Sequence, residues 1–381
     1  MKTRRIKTIL LFLSTMPFIG IYAQSIYYVS PHASSGGDGS PATPFHIIHE
    51  AVEKARKDKN CTTIYLREGE YILDTPLVLT SADGNDSKEL IIRNYPGEKA
   101  IISSGITLDL KWEKYKNGIM RAAVKGNPVM DMLIVNGDLR SMARYPDYDK
   151  TAVRFNGTSA LATAPERVKK WKNPEGGYFH AMHSHDWGDF HYRITGKNEK
   201  GELQLEGGWQ NNRPMGIHPE NRMVENIFEE LDAPGEWYYD KQEGWLYYYP
   251  LSDENINELV FETPQLKNLI EIAGTSSHPV KNITIEGIEL TQTIRTFMGH
   301  YEPLLRSDWT IYRGGAVIFR GTEKCTLRDC YIHHVGGNGV FFDKYNRNSA
   351  VTGSYLTSIG ASAICFVGDV AGVRSPSFRY G

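Results

Sequence analysis

Cysteine is scarce in this chain and badly spaced for most of what cysteine does. Four occur in 381 residues, Cys61, Cys325, Cys330 and Cys365, and no two stand in a C-x-x-C pair. The sequence therefore offers neither a structural zinc ligand set nor a dense disulfide framework. A chain this long can bury a core without staples. Three of the four lie in the C-terminal part, where a small apolar residue serves as filling, so buried thiols are favoured over a disulfide.

Charge of either sign is also lacking in excess. Forty-three basic residues face 45 acidic ones, a net charge of −2, which supplies no basic patch for nucleic acid or for an anionic membrane surface. Beyond the first 24 residues no apolar run approaches the roughly 20 residues of a transmembrane helix, so membrane insertion is not expected. No H-E-x-x-H or comparable ligand spacing occurs, and no metal or cofactor is expected.

What is present begins with a leader. Residues 1–24 place Lys2, Arg4, Arg5 and Lys7 before an apolar stretch that ends near the small residue Ala23. That layout reads as a secretory signal peptide, and with no Cys in it there is no acceptor for an amino-terminal lipid. A secreted or periplasmic monomer is the expectation.

Residues 25–109 alternate strands and turns around one helix. "SIYYVS" reads as a strand, "PHASSGGDGSPATP" as a loop, and "FHIIHEAVEKARKD" as a helix with Ile47, Ile48, Ala51, Val52 and Ala55 on one face, Thr43 as its cap and Pro44 in its first turn. A helix that leads into short strands fits a cap on a stacked β structure. Residues 110–259 break the rhythm with Trp and Tyr. There "EWYYDKQEGWLYYYP" reads as a hairpin turning at Lys-Gln-Glu-Gly, in an inserted β-rich subdomain.

Residues 260–381 repeat themselves. A slide of 24 positions sets Leu327 on Val351, Ile332 on Leu356, Val335 on Ile359 and Phe342 on Phe366. The same spacing links Ala316, Val340 and Ile364, and also Ile318, Phe342 and Phe366. An earlier copy, "NITIEGIEL", matches "KCTLRDCYI" at a shift of 42, so that turn carries about 18 extra residues, roughly Thr296 to Arg313. Periods of this size mark solenoids, and short β-branched strands with Gly or Asn at the corners exclude helical repeats. The fold predicted is all-β, a right-handed parallel β-helix with an N-terminal capping helix and the aromatic-rich insert.

Three places hold residues suited to work on sugars. "HAMHSHDWGDFHYRITG" sets His183, His185 and Trp187 on one side of a strand and Asp186 on the other, with His191 close by. The inserted loop brings Glu302 and Trp309, a carboxylate and a ring of the kinds that act at and stack on sugars. The outer face of the repeat carries His333, His334, Asp343, Lys344 and Asp369. From these, Asp343 and Asp369 are the catalytic candidates. His185, Trp187, His191, Glu302 and Trp309 are the substrate-contact candidates.

"YYVSP", "GGDGSPATPF", "TIYLREGEYIL", "IVNGDLRSMARYP", "ENIFEELDAPGEWYYDKQEGWLYYYP", "GAVIFRGTEKCTLRDCYIHHVGGNGV" and "GASAICFVGD" together resemble the parallel β-helix proteins of glycoside hydrolase family 141. The Leu-Asp-Ala-Pro-Gly-Glu-Trp run at 231–237 is the most specific of them. The resemblance implies a retaining glycosidase acting on fucosyl or xylosyl linkages of plant cell-wall polysaccharide, with no obligatory cofactor. It also implies further coils past Gly381 that hold the catalytic carboxylates, so the chain reads as the front of a longer enzyme. Two rivals remain. A polysaccharide lyase on the same rack would need clustered Asp for calcium and a basic residue, and the repeat shows no such cluster. A non-catalytic glycan-binding protein or inactive remnant is the other.

Overall fold

A computed structural model describes residues 24–211, 215–300, 302–303 and 310–369. The leader, except for its last residue, and Trp309 lie outside the described residues. The fold is all-β with few helices.

From Cys61 onward each circuit of the chain lays one strand in each of three parallel sheets. The first sheet stacks Gln24–Val29, Cys61–Leu66, Leu90–Asn94, Ile283–Glu286, Thr326–Arg328 and Ala350–Thr352. The second stacks Gly69–Ile72, Ala100–Ser103, Glu289–Thr293, Tyr331–Val335 and Tyr355–Leu356. The third runs from Leu77–Leu79 through Ile270–Ala273, Val317–Glu323 and Val340–Arg347 to Ile364–Val367. Strand alternation sends every second side chain inward, so like residues pile into rows. Ile64, Ile92, Ile285 and Leu327 make one row, Tyr71, Ile102, Leu290 and Ile332 a second, and Leu79, Ile272, Phe319 and Phe342 a third. Each fully buried aliphatic side chain in these rows contributes about 1.5–3 kcal/mol.

The slide of 24 gives true partners for Leu327 with Val351, Ile332 with Leu356, Val335 with Ile359 and Phe342 with Phe366. The shift of 42 is equally good, pairing Thr284 with Thr326 and Glu289 with Tyr331. One turn corrects the reading: Val340 pairs with Val317, not Ala316, and Phe342 with Phe319, not Ile318. The register shifts between Arg320 and Thr322, where Lys344 takes a positive φ of 60° and the extra residue is absorbed as a bulge. A slip of one residue turns a side chain to the other face. Phe319 therefore stacks on Phe342 at 4.6 Å inside the coil, while Ile318 points away from it.

The helix spans Ile48–Lys57 and packs Ile48, Ala51, Val52 and Ala55 onto the first strands. Its N-cap is Ile47, without a side-chain cap bond, and Ile47 is exposed. Thr43 does not cap it. Its hydroxyl donates to Asp38 at 2.5 Å inside the preceding loop, so burial of the apolar stripe, not capping, sets the helix start. All four cysteines are free thiols, and Cys325, Cys330 and Cys365 are buried.

Between Ser103 and Ile270 the chain leaves the stack and pairs antiparallel. The predicted hairpin forms, Trp237–Asp240 against Trp245–Tyr248, and Met120–Ala123 extends it. Tyr178–His183, Asp189–Lys197, Leu203–Gly207, Ile217–Glu225 and Arg144–Tyr145 make a five-stranded sheet over its own core of Trp171, Phe179 and Val224. A third sheet, in which Phe261–Pro264 pairs with Leu133–Val135 on one side and with Gly105–Thr107 on the other, ties this block to the coils. Among the described residues no helix is long and apolar enough to cross a membrane.

Candidate functional site

A groove of about 1000 Å³ lies where the antiparallel block meets the coils. Its walls include Asp131, Arg144, Phe155, His180, Asp189, His191, Glu225 and Glu236 from the block, and Arg295, Phe297 and His334 from the coil side. The volume stands at the upper end of small-molecule sites. A smaller recess of about 390 Å³ is lined by Glu98, Lys99, Glu289, Asp329 and Tyr331 among others.

Arg295 follows the coil strand Glu289–Thr293 and is the bolt between the two parts. Its Nε and Nη2 donate to Asp131 Oδ1 at 3.0 and 2.9 Å, its backbone N–H donates to Asp131 Oδ2 at 2.7 Å, and its Nη1 donates to Glu225 Oε1. The guanidinium lies 4.7 Å from the Phe297 ring centroid and 5.2 Å from that of Tyr178. Burial opposes its charge, but Asp131 and Glu225 outweigh burial and hold it protonated.

Glu225 ends its strand inside the groove. Burial pushes its carboxyl up, yet Arg295 and the His180 contact at 3.2 Å reverse this and hold it far below the usual range. His180 Nδ1 in turn meets His191 Nδ1 at 2.6 Å, and His191 Nε2 meets Asp189 at 3.3 Å. Burial lowers the His180 pKa. Asp189 is raised by burial and lowered more by His191, for a net lowering.

Glu236 is the opposite case. It follows the Ala233-Pro234-Gly235 turn, where Gly235 takes a φ of 90°, and its residue is only 2 % exposed. Oε2 accepts a long bond of 3.3 Å from the Ala233 N–H, and Oε1 has no partner. Burial pushes this carboxyl up to about 8 against the Ala233 bond, with Asp147 and Asp232 adding to the rise. A neutral carboxylic acid whose O–H finds no acceptor in the protein is a donor waiting for one.

Of the residues singled out in the sequence, His191 and His334 line the groove. His185 and Trp187 sit on the hairpin turn beyond it. Trp187 is 46 % exposed and stacked on His183 at 5.7 Å, with His185 at 5.4 Å, so the three rings do gather, but on a turn and not along a strand. Glu302 pairs with Arg313 at 2.7 Å. Asp343 takes Arg313 on one oxygen at 2.5 Å and Arg320 on the other at 2.7 Å. Asp369 adjoins Gly368, whose carbonyl also accepts from Arg313. These three do not line the groove. Glu225, Glu236, His180 and Arg295 were missed. The usable signal was Glu236 itself, a carboxylate set among Pro, Gly and the Trp-Tyr-Tyr run of the most specific stretch. Among the described residues no group of three or more His, Cys, Asp or Glu is arranged to hold a metal ion.

No family model matches the chain. An uncharacterized Bacillus subtilis (strain 168) protein, YwoF, is 34 % identical over 88 residues, 23 % of this chain and 17 % of that one. A solved structure described as a glycoside hydrolase overlays with a TM-score of 0.71 at 20 % identity, covering 87 % of this chain and 65 % of its own length. A complex of XylC with xylose overlays at 0.42 and 14 % identity, covering 83 % and 41 %. The first of these structures shares the fold. The chain spans just under two thirds of its length and about a sixth of YwoF.

Proposed function

We propose that this chain is a carbohydrate-active protein, a glycoside hydrolase on a right-handed parallel β-helix resembling glycoside hydrolase family 141, and that its groove binds the sugar. The observation that carries the reading is a pair of carboxyls on one groove whose surroundings drive their protons apart: Glu236 raised to about 8 and Glu225 strongly lowered. Such a split separates a general acid from an ionised partner. Glu236 gives its proton to the glycosidic oxygen as the carbon–oxygen bond breaks. Glu225 attacks the anomeric carbon, and water, deprotonated by Glu236, then releases the sugar. Fucosyl and xylosyl linkages of plant cell-wall glycans are the proposed substrates, and export through the leader is the proposed route to them.

The cations of the groove are already engaged, Arg295 by Asp131 and Glu225, Arg140 by Glu254, and Arg144 by three carbonyls. That arrangement favours an uncharged sugar over the uronate a lyase must neutralise. The catalytic assignment to Asp343 and Asp369 competes with this one. The test is turnover of aryl fucosides, aryl xylosides and xylan or pectin oligosaccharides by the wild type, Glu236→Gln, Glu225→Gln, Asp343→Asn and Asp369→Asn. Loss confined to the first two variants supports the groove. Glycan binding without turnover in the wild type supports a binding protein.

A further inference from the structure

Gln292, His334 and Ser358 stand at one corner of three successive circuits and share one backbone conformation, with φ of 59°, 49° and 50°. A regular strand would send His333 and His334 to opposite faces. The left-handed residue lets Ile332 and Val335 both reach the core while the two histidines stay side by side outside it. Their Nδ1 atoms lie 2.9 Å apart. His333 turns its other nitrogen to Glu289, and His334 lines the groove.

His333 Nε2 is 3.0 Å from Glu289 Oε1, and Lys99 Nζ is 2.8 Å from Oε2 of the same carboxyl. Burial raises the Glu289 carboxyl, but the bonds from His333 and Lys99 outweigh burial and lower it, so it is ionised. A carboxylate only accepts, so a neutral His333 carries its proton on Nε2 and turns a bare Nδ1 toward His334. The proton of the 2.9 Å bond then comes from His334 Nδ1. Thr291, with its hydroxyl 3.3 Å from His333 Nδ1, does not change this, because a bare His334 Nδ1 would still set lone pair against lone pair. Two neutral imidazoles satisfy all these contacts in this one arrangement, and Lys99 already supplies Glu289 with a cation. His334 Nε2 is left without a proton, and it has no protein partner among the described residues. We infer that the line from Lys99 through Glu289 and His333 fixes His334 as the Nδ1–H tautomer, whose bare Nε2 accepts a hydrogen bond from a hydroxyl of the glycan in the groove. Burial lowers the His334 pKa and His333 adds to this, against Asp138 and Glu289, so the groove meets an acceptor and not a cation. A hydroxyl satisfies that nitrogen, whereas an ether or a deoxy position in the same place does not. His334 is then a specificity residue, with Lys99, Glu289 and His333 as positioning residues.

The glycan contact rests on the hydrolase reading, and the tautomer does not. The test begins with the nitrogen spectrum of histidine-labelled protein at pH 8, where His334→Asn assigns the signals. A protonated Nδ1 and a bare Nε2 are expected at His334. In His333→Phe, which removes the relay, the proton moves to Nε2, the tautomer that imidazole favours in water. A protonated Nε2 in the wild type overturns the proposal, whether His334 is the other tautomer or a cation. A bare Nε2 that survives in His333→Phe overturns the positioning role. Methyl β-xyloside or methyl α-fucoside, added to the wild type, should shift the Nε2 signal, and calorimetric binding without that shift overturns the contact. His334→Asn, which the left-handed corner tolerates, should cost aryl glycoside turnover about 3–10-fold, most of it in KM and not in kcat. Loss confined to kcat overturns a role in binding. Failure of the wild type to bind either sugar sinks the contact and the hydrolase reading together, whereas a protonated Nε2 sinks the tautomer alone. Because the wild-type spectrum decides the tautomer, a variant that fails to fold leaves the proposal testable.

Discussion

Glu236 in the antiparallel block and Asp343 on the coils are equally buried, each 2 % exposed, and they live in opposite company. Asp343 has a guanidinium on each oxygen, and through Arg313 and Arg320 it links Glu302 and Glu271 into one network. Glu236 has one long backbone bond and a bare oxygen. Burying an unpartnered charge costs several kcal/mol, so the Asp343 site offsets that cost with cations while Glu236 keeps its proton. Depth of burial does not distinguish a structural carboxyl from a chemical one. The partners do.

The sharpest way to break the contrast is Glu236→Gln. The amide keeps the shape and one acceptor but has no acidic proton, so turnover of glycosides with poor leaving groups falls by about 10²–10⁴-fold. Activated aryl glycosides, which need little acid help, fall less. An equal loss on both substrates removes Glu236 from the role of general acid.

The same residue ties stability to pH. Its folded pKa, about 8, lies above the ordinary 4.5, so the folded state binds the proton more tightly and stability falls as pH rises from about 4.5 to 8, then levels off. The full change is roughly 5 kcal/mol. Denaturant titrations at pH 5 and 9 will show it in the wild type and not in Glu236→Gln, which should be the more stable of the two at pH 9. Parallel curves for the two proteins contradict the assignment.

The contrast also governs what a reader of the sequence can find. Coil partners such as Leu327 and Val351 stand one circuit apart, so stacking prints itself as a repeat. The reading slipped by one at Ala316 and Ile318 because a bulge near Lys344 takes up a residue that no pattern announces. The groove leaves no comparable trace. Asp131 and Arg295 are 164 positions apart, and Glu225 and His180 are 45 apart. Antiparallel pairing and a junction between two cores bring them together. His191 was legible only because it stands among other histidines.

Asp343→Asn sharpens the comparison from the coil side. Removing one charge leaves Arg313 and Arg320 facing an amide in a partly buried network. Breaking such a network costs up to about 3–5 kcal/mol where it is fully buried. Arg320 is 38 % exposed, and water screens part of the effect, so a loss of about 2 kcal/mol in urea unfolding is expected. Glycoside turnover per folded molecule should hold. A fall in turnover at unchanged stability would move the chemistry to Asp343.

The smallest effect is expected at the hairpin turn. Trp187 is nearly half exposed and its ring lies parallel to His183, within 7°. Trp187→Ala therefore gives up surface of which nearly half is wet already, and unfolding free energy should drop by about 1 kcal/mol. Sugar affinity is the more telling readout, because this turn lies outside the groove lining. If only the groove holds the sugar, affinity measured by calorimetry with a short oligosaccharide stays within about twofold of the wild type. An exposed indole worth a stacking contact would add about 1 kcal/mol or more, a loss of at least fivefold on truncation. That loss, appearing with long oligosaccharides and absent with short ones, would extend the binding surface from the groove to the turn, where the sequence first placed it.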